Sequence, residues 1–120
     1  MLGDVQDGKY YSPKTGSFKL DFSGISAIEG NSLYCKFAYT NVTDVDLRDL
    51  EYFGNLENTF SNCTRLSSVN FQNLKRLGGS LVNHGFEFTF TYCTSLSSIS
   101  FPSLTAINDY GLHGSFQGMT

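Results

Sequence analysis

One stretch of this chain is written twice. Phe60 to Leu77, FSNCTRLSSVNFQNLKRL, returns as Phe90 to Ile107, FTYCTSLSSISFPSLTAI. Phe60, Cys63, Thr64, Leu66, Ser67, Ser68, Phe71 and Leu74 recur as Phe90, Cys93, Thr94, Leu96, Ser97, Ser98, Phe101 and Leu104. Such self-similarity restricts what the chain can fold into. A single repeat cannot bury its own apolar face, so each must stack on the next and share a continuous core.

Fainter copies extend the pattern toward the N-terminus. Leu20, Phe22, Ile25 and Ile28 are spaced like Val45, Leu47, Leu50 and Phe53, like Val69, Phe71, Leu74 and Leu77, and like Ile99, Phe101, Leu104 and Ile107. The first pair in each set alternates as a strand does with one face inward, and the three-residue steps after it suit a chain turning a corner. The expected fold is a repeat solenoid with one parallel strand per repeat. Strands centred on Leu20–Phe22, Val45–Leu47, Val69–Phe71 and Ile99–Phe101 should form one parallel sheet in sequence order.

The chain returns between strands through Leu33 and Phe37, Leu56 and Phe60, Phe86 and Phe90, and Leu112 and Phe116, each pair four apart. That spacing suits a single helical turn and equally a short strand, because four is even. The strict alternation of GFEFTFTY, Gly85 to Tyr92, favours the strand there. Length differences between returns fall mainly at Leu81 to His84, as expected of a surface loop. His84 and His113 read as turn residues, with Gly85 and Gly114 supplying backbone freedom. The repeats occupy residues 18–120 in about four rungs, the last incomplete. Residues 1–17 stand outside them, as a leader or as a capping hairpin that turns at Asp7-Gly8 and uses Tyr10 and Tyr11.

Composition narrows the function. Only 16% of the 120 residues are charged and the net charge is −3, which argues against a nucleic-acid groove. Eleven Phe and seven Tyr with no Trp mean that aromatic rings fill much of the interior. No apolar run is long enough for a membrane helix, and the opening MLGDVQDGKYY lacks the basic and then apolar regions of a secretory signal, so an export signal is expected outside this sequence if the protein is exported. Three cysteines cannot close a disulfide framework. Cys63 and Cys93, at one repeat position, read as small buried reduced side chains, and neither they nor Cys35 has metal-ligand spacing. Thr40, Thr64, Thr94 and Thr120, taken as one column, read as hydroxyls that satisfy turn carbonyls. The glycosylation-type triplets at Asn41 and Asn62 follow from the repeat itself.

The run Cys93-x-x-Leu96-x-x-Ile99-x-Phe101-Pro102-x-Leu104-x-x-Ile107, followed by Gly114-Ser115-Phe116-x-x-Met119, resembles the BspA-like leucine-rich repeat. The resemblance covers about residues 18–120 and departs where Tyr39 and Val42 stand for Cys and Leu, and where Gln72 stands for Pro. It implies a leucine-rich-repeat solenoid with no shared catalytic motif, serving as a surface-exposed binding or adhesion module of an extracellular or cell-surface protein. The alternative is a passive spacer or assembly segment of a larger bacterial surface or phage fibre protein.

The register assigns the outward positions of the strand face. Lys19, Asp44, Ser68 and Ser98 make one row, Asp21, Asp46, Asn70 and Ser100 the next, and Ser23, Arg48, Gln72 and Pro102 the third. Lys19, Asp21, Asp44, Asp46, Arg48, Ser68, Asn70, Gln72, Ser98 and Ser100 therefore form the candidate binding face, grading from charged to small and neutral. An unknown protein, or a glycan, is the expected ligand, with a positively charged protein preferred because the face carries no aromatic platform. No cofactor is expected. Asp21, Asp44, Asp46, Asp49 and Glu51 lack the His, Lys or nucleophile that catalysis would need beside them, so no enzyme is expected. Asp44-x-Asp46 near Asp21 is too few ligands for a calcium loop. The apolar edge of the last repeat suggests association between copies.

Overall fold

The computed structural model describes residues 4–6, 9–11, 16–77, 86–107 and 114–118. Its strands are β1 (Asp4–Gln6), β2 (Lys9–Tyr11), β3 (Phe18–Asp21), β4 (Ala27–Ile28), β5 (Val42–Asp46), β6 (Tyr52–Phe53), β7 (Ser68–Asn70), β8 (Arg76–Leu77) and β9 (Ala106–Ile107). Among the described residues there is no helix. β1 and β2 pair antiparallel with Gln6 opposite Lys9. The side chains of Tyr10 and Tyr11, to which the sequence assigns capping, lie outside the described residues.

From Phe18 onward the chain runs in successive windings, each laid beside the last. β3, β5 and β7 form a parallel sheet in that order, with Leu20 opposite Val45 and Val45 opposite Val69. A bulge between Phe18 and Lys19 absorbs one residue of mismatch. Past the corner a second parallel ladder pairs β4 with β6 and β8 with β9. The Lys75 N–H joins its two halves by donating to the Glu51 carbonyl at 3.1 Å. Gly54 sits directly on Gly30, where a Cβ would come within 2.5 Å of the Gly30 carbonyl oxygen. Only glycine permits that approach.

The return segments are neither strands nor helical turns. They are runs of linked turns in which every fourth residue is left-handed: Cys35 and Tyr39, Asn58 and Asn62, Phe88 and Tyr92, then Gly114 and Gly118. Alternate N–H groups close turns along the chain, as Lys36 does onto Leu33 and Cys63 onto Phe60. The others reach the next winding: Phe37 donates to Thr59, Phe60 to Thr89, and Phe90 to Ser115, at 2.9–3.0 Å. The left-handed residues swing the amides between these two directions, so both sets are satisfied. Alternation in GFEFTFTY reflects this two-way pattern and not a strand. The Leu81–His84 loop, His113 and Leu112 lie outside the described residues.

Side chains facing inward stack in columns. Phe37, Phe60, Phe90 and Phe116 form a pile of near-parallel rings, with successive centroids 5.9, 5.8 and 6.0 Å apart. Phe71 lies on Phe101 at 5.4 Å and meets Phe86 and Phe90 edge-on. Leu47, Leu50, Leu56, Leu66 and Leu74 are fully buried between them. Each such side chain contributes about 1.5–3 kcal/mol of apolar burial.

One polar column runs through this core, and it is not the expected one. Of the expected column, Thr40 is buried and donates to the Phe37 turn carbonyl at 2.8 Å, but Thr64 and Thr94 are exposed and Thr120 lies outside the described residues. The hydroxyls that form the column are those of Thr59, Thr89 and Ser115, which donate to the carbonyls of Leu33, Leu56 and Phe86 in the preceding winding at 2.8, 3.0 and 2.8 Å. Thr40, and not Tyr39, stands in line with Cys63 and Cys93. The hydroxyl–thiol contact between Thr40 and Cys63 is 3.7 Å, and both thiols donate to Phe carbonyls of the winding before. Both cysteines are buried free thiols.

The expected fourth strand at Ile99–Phe101 is absent, and Ser98 and Ser100 belong to no ladder. In the inner windings an Asx side chain closes the corner after the strand, as Asn70 does by accepting the Gln72 N–H at 2.9 Å. The fourth winding has Ser100 and Pro102 at these places, and proline has no N–H to donate. Side chains hold it instead: Ser95 and Ser103 donate to the carbonyls of Thr64 and Gln72 at 2.6 and 2.8 Å.

Candidate functional site

The sheet β3-β5-β7 turns Leu20, Val45 and Val69 toward the core, so the residues on either side of them face outward. Pairing sets Lys19, Asp44 and Ser68 in one row and Asp21, Asp46 and Asn70 in the next. Over these rows lies an open groove of about 330 Å³, lined by Lys19, Leu20, Asp21, Asp44, Val45, Asp46, Ser68 and Asn70. Six of the ten residues selected from the sequence therefore meet at one concavity. Arg48 and Gln72 lie beyond the corner, and Ser98 and Ser100 lie in the fourth winding, outside it.

The second row is engaged in holding the corner. Asp21 accepts the Ser23 N–H at 2.8 Å, Asp46 the Arg48 N–H at 3.1 Å and Asn70 the Gln72 N–H. Arg48 also folds back onto Asp46 with its guanidinium, Nε lying 2.9 Å from Oδ2 and Nη2 pairing with the same oxygen. These bonds hold both carboxyls below the usual range, Asp46 through Arg48 and Asp21 through Ser23. In the first row, Asp44 accepts from the Thr43 hydroxyl at 2.7 Å and lies 3.9 Å from Lys19 Nζ. An exposed pair of that kind contributes little to stability.

The remaining acidic residues weighed from the sequence are also occupied. Asp49 accepts the Gly24 N–H at 2.7 Å, and Glu51 pairs with Lys75 at 2.6 Å. Among the described residues no three His, Cys, Asp or Glu side chains converge as metal ligands. The thiols do not approach nucleophile chemistry either: burial raises all three, and Cys93 reaches about 12. What the face offers is shape, backbone edges and a small set of fixed charges.

A second concavity went unnoticed in the sequence. Asn31, Tyr34, Asn55 and Glu57 line a pocket of about 320 Å³ where the second ladder meets the return. Asn55 is buried, donates to Asn31 Oδ1 at 2.9 Å and accepts the Glu57 N–H at 2.9 Å. Tyr34 stands 46% exposed beside them. The signal was available: the dipeptide Gly-Asn recurs at Gly30-Asn31 and Gly54-Asn55. No family model matches the chain, and no curated protein or solved structure matches it.

Proposed function

We propose that this chain is a leucine-rich-repeat solenoid of the BspA-like type, acting as a non-catalytic recognition module displayed at a cell surface. Its ligand is an extended segment of a partner protein that lies in the groove over β3, β5 and β7. The observation that carries this reading is the groove itself, floored by a parallel sheet whose first outward row, Lys19, Asp44 and Ser68, closes no corner of the fold. An extended surface of this kind can vary its recognition chemistry without disturbing the fold.

Charge sets the direction of the preference. Asp21, Asp44 and Asp46 outnumber Lys19 and Arg48 around the groove, so a segment bearing lysine or arginine is favoured. Such charges chiefly speed and orient association and weaken with added salt. The clean probe is Asp44→Ala, because Asp46 also supports a corner. Short extended peptides rich in lysine, or in glutamate as a control, are titrated against the labelled protein by NMR. Lysine peptides should shift the amides of β3, β5 and β7, the shifts should shrink in salt, and Asp44→Ala should reduce them. Equal shifts from both peptides, or shifts confined to other surfaces, would overturn the reading.

A further inference from the structure

We propose that the pocket of Asn31, Tyr34, Asn55 and Glu57 is a saccharide subsite that takes one neutral sugar ring. This is independent of the groove on the sheet face. The two concavities are lined by different residues, and only this one has an aromatic ring in its wall. Its volume of about 320 Å³ is room enough for a single pyranose ring.

The chemistry around it is mixed in the way a sugar requires. A pyranose has an apolar C–H face and a rim of hydroxyls that both donate and accept. Tyr34 supplies an exposed ring against which the apolar face can lie. Glu57 supplies carboxylate oxygens, which only accept. Asn31 accepts from the Asn55 amide through Oδ1, so the group it can offer a ligand is its own amide Nδ2, a donor. Donor and acceptor thus stand on the same rim.

Two other ligand classes fit less well. A cation would suit Tyr34 and Glu57, but it would leave the Asn31 amide presenting its hydrogens to positive charge. An anion would be repelled by Glu57. A neutral polyhydroxylated ring uses all the groups at once.

The site is also fixed before any ligand arrives. Asn55 is 7% exposed and bonded on both sides, so it holds the Asn31 side chain and the Glu57 backbone in place. Ordering of this kind lowers the entropic cost of binding. One shallow subsite still binds weakly, with a Kd on the order of millimolar.

The test is an NMR titration of the intact chain with methyl β-glucoside, methyl β-galactoside and N-acetylglucosamine, each to about 100 mM, well past a millimolar Kd. At least one sugar should give saturable shifts at the amides of Tyr34 and Glu57 and at the Asn55 side chain. Tyr34→Ala should weaken that binding about tenfold, the loss of one ring contact, while Tyr34→Phe keeps it. Tyr92→Ala, at an exposed ring in the third winding, should leave it unchanged. Absence of shifts with all three sugars, shifts undiminished in Tyr34→Ala, or a response to tetramethylammonium alone would overturn the assignment. The spectrum of each variant reports directly whether it has folded.

Discussion

The pile of phenylalanines allows a test of whether the windings stabilise one another only through their neighbours. Phe60 is fully buried with a parallel ring on each side, Phe37 at 5.9 Å and Phe90 at 5.8 Å. Replacing it with leucine keeps most of the apolar volume and removes two ring–ring contacts, each worth about 0.5–1.5 kcal/mol. Phe60→Leu should therefore cost about 1–3 kcal/mol, a substantial share of the roughly 5–15 kcal/mol that holds a domain. Phe116 is half-buried and touches one ring of the pile, so Phe116→Leu should cost about half as much. The sharper result comes from double-mutant cycles read by urea unfolding. Phe60→Leu with Phe90→Leu should show coupling of about 0.5–1.5 kcal/mol, whereas Phe37→Leu with Phe116→Leu, at opposite ends of the pile with no ring in common, should add to within about 0.5 kcal/mol. The urea slope should stay the same throughout. Equal coupling for both pairs would refute nearest-neighbour stacking and point to a core that rearranges as a whole.

Other expectations follow from the same columns. Thr89→Val removes a buried donor to Leu56 and should cost about 1–2 kcal/mol in urea unfolding; a neutral result would mean that the hydroxyl column adds nothing. Gly54→Ala drives a Cβ into the Gly30 backbone and should destabilise by about 1–3 kcal/mol, while Gly16→Ala, in open space, should be silent. Ile99, Phe101, Leu104 and Phe116 are half-buried and Ile107 is 54% exposed, so sedimentation should show association rising with concentration. Ile107→Lys should reduce that association, and a clean monomer of the unmodified chain at high concentration would refute it. Burial holds the proton on Cys93 up to about 12 against 9.0 for a free thiol, so its stabilisation is whole below pH 9 and fades as pH rises toward 12. Cys93→Thr, the side chain that Thr40 carries in the same column, should lose less stability than the unmodified chain between about pH 9 and pH 11, and parallel curves would refute this.

The inward columns were legible because burial demands the same residue type winding after winding. Val45, Val69, Leu47, Phe71 and the four stacked phenylalanines repeat for that reason, and spacing alone located them. The return segments were not legible. Two buried side chains four apart satisfy a strand, a helical turn and a run of left-handed turns equally, and although Asn58, Asn62, Gly114 and Gly118 are types that favour left-handed geometry, Cys35, Tyr39, Phe88 and Tyr92 in the same places are not. The clue sat one step away. Thr59, Thr89 and Ser115 each immediately precede the stacked phenylalanine of their return, and a polar residue at a buried recurring place implies a fixed carbonyl to receive it.

The candidate face was legible in direction but not in duty. Alternation told which side chains of β3, β5 and β7 leave the core, yet it treated both outward rows alike. They differ because only the second row lies two residues before a corner amide, within reach of a side-chain oxygen. Asp21, Asp46 and Asn70 all spend that oxygen on the corner, and the winding with Ser100 and Pro102 at those places has no strand there. Substitution in the second row therefore changes the sheet as well as its surface. The first row, Lys19, Asp44 and Ser68, makes no such closure, and a partner that reads this face can be discriminated there without disturbing what supports it.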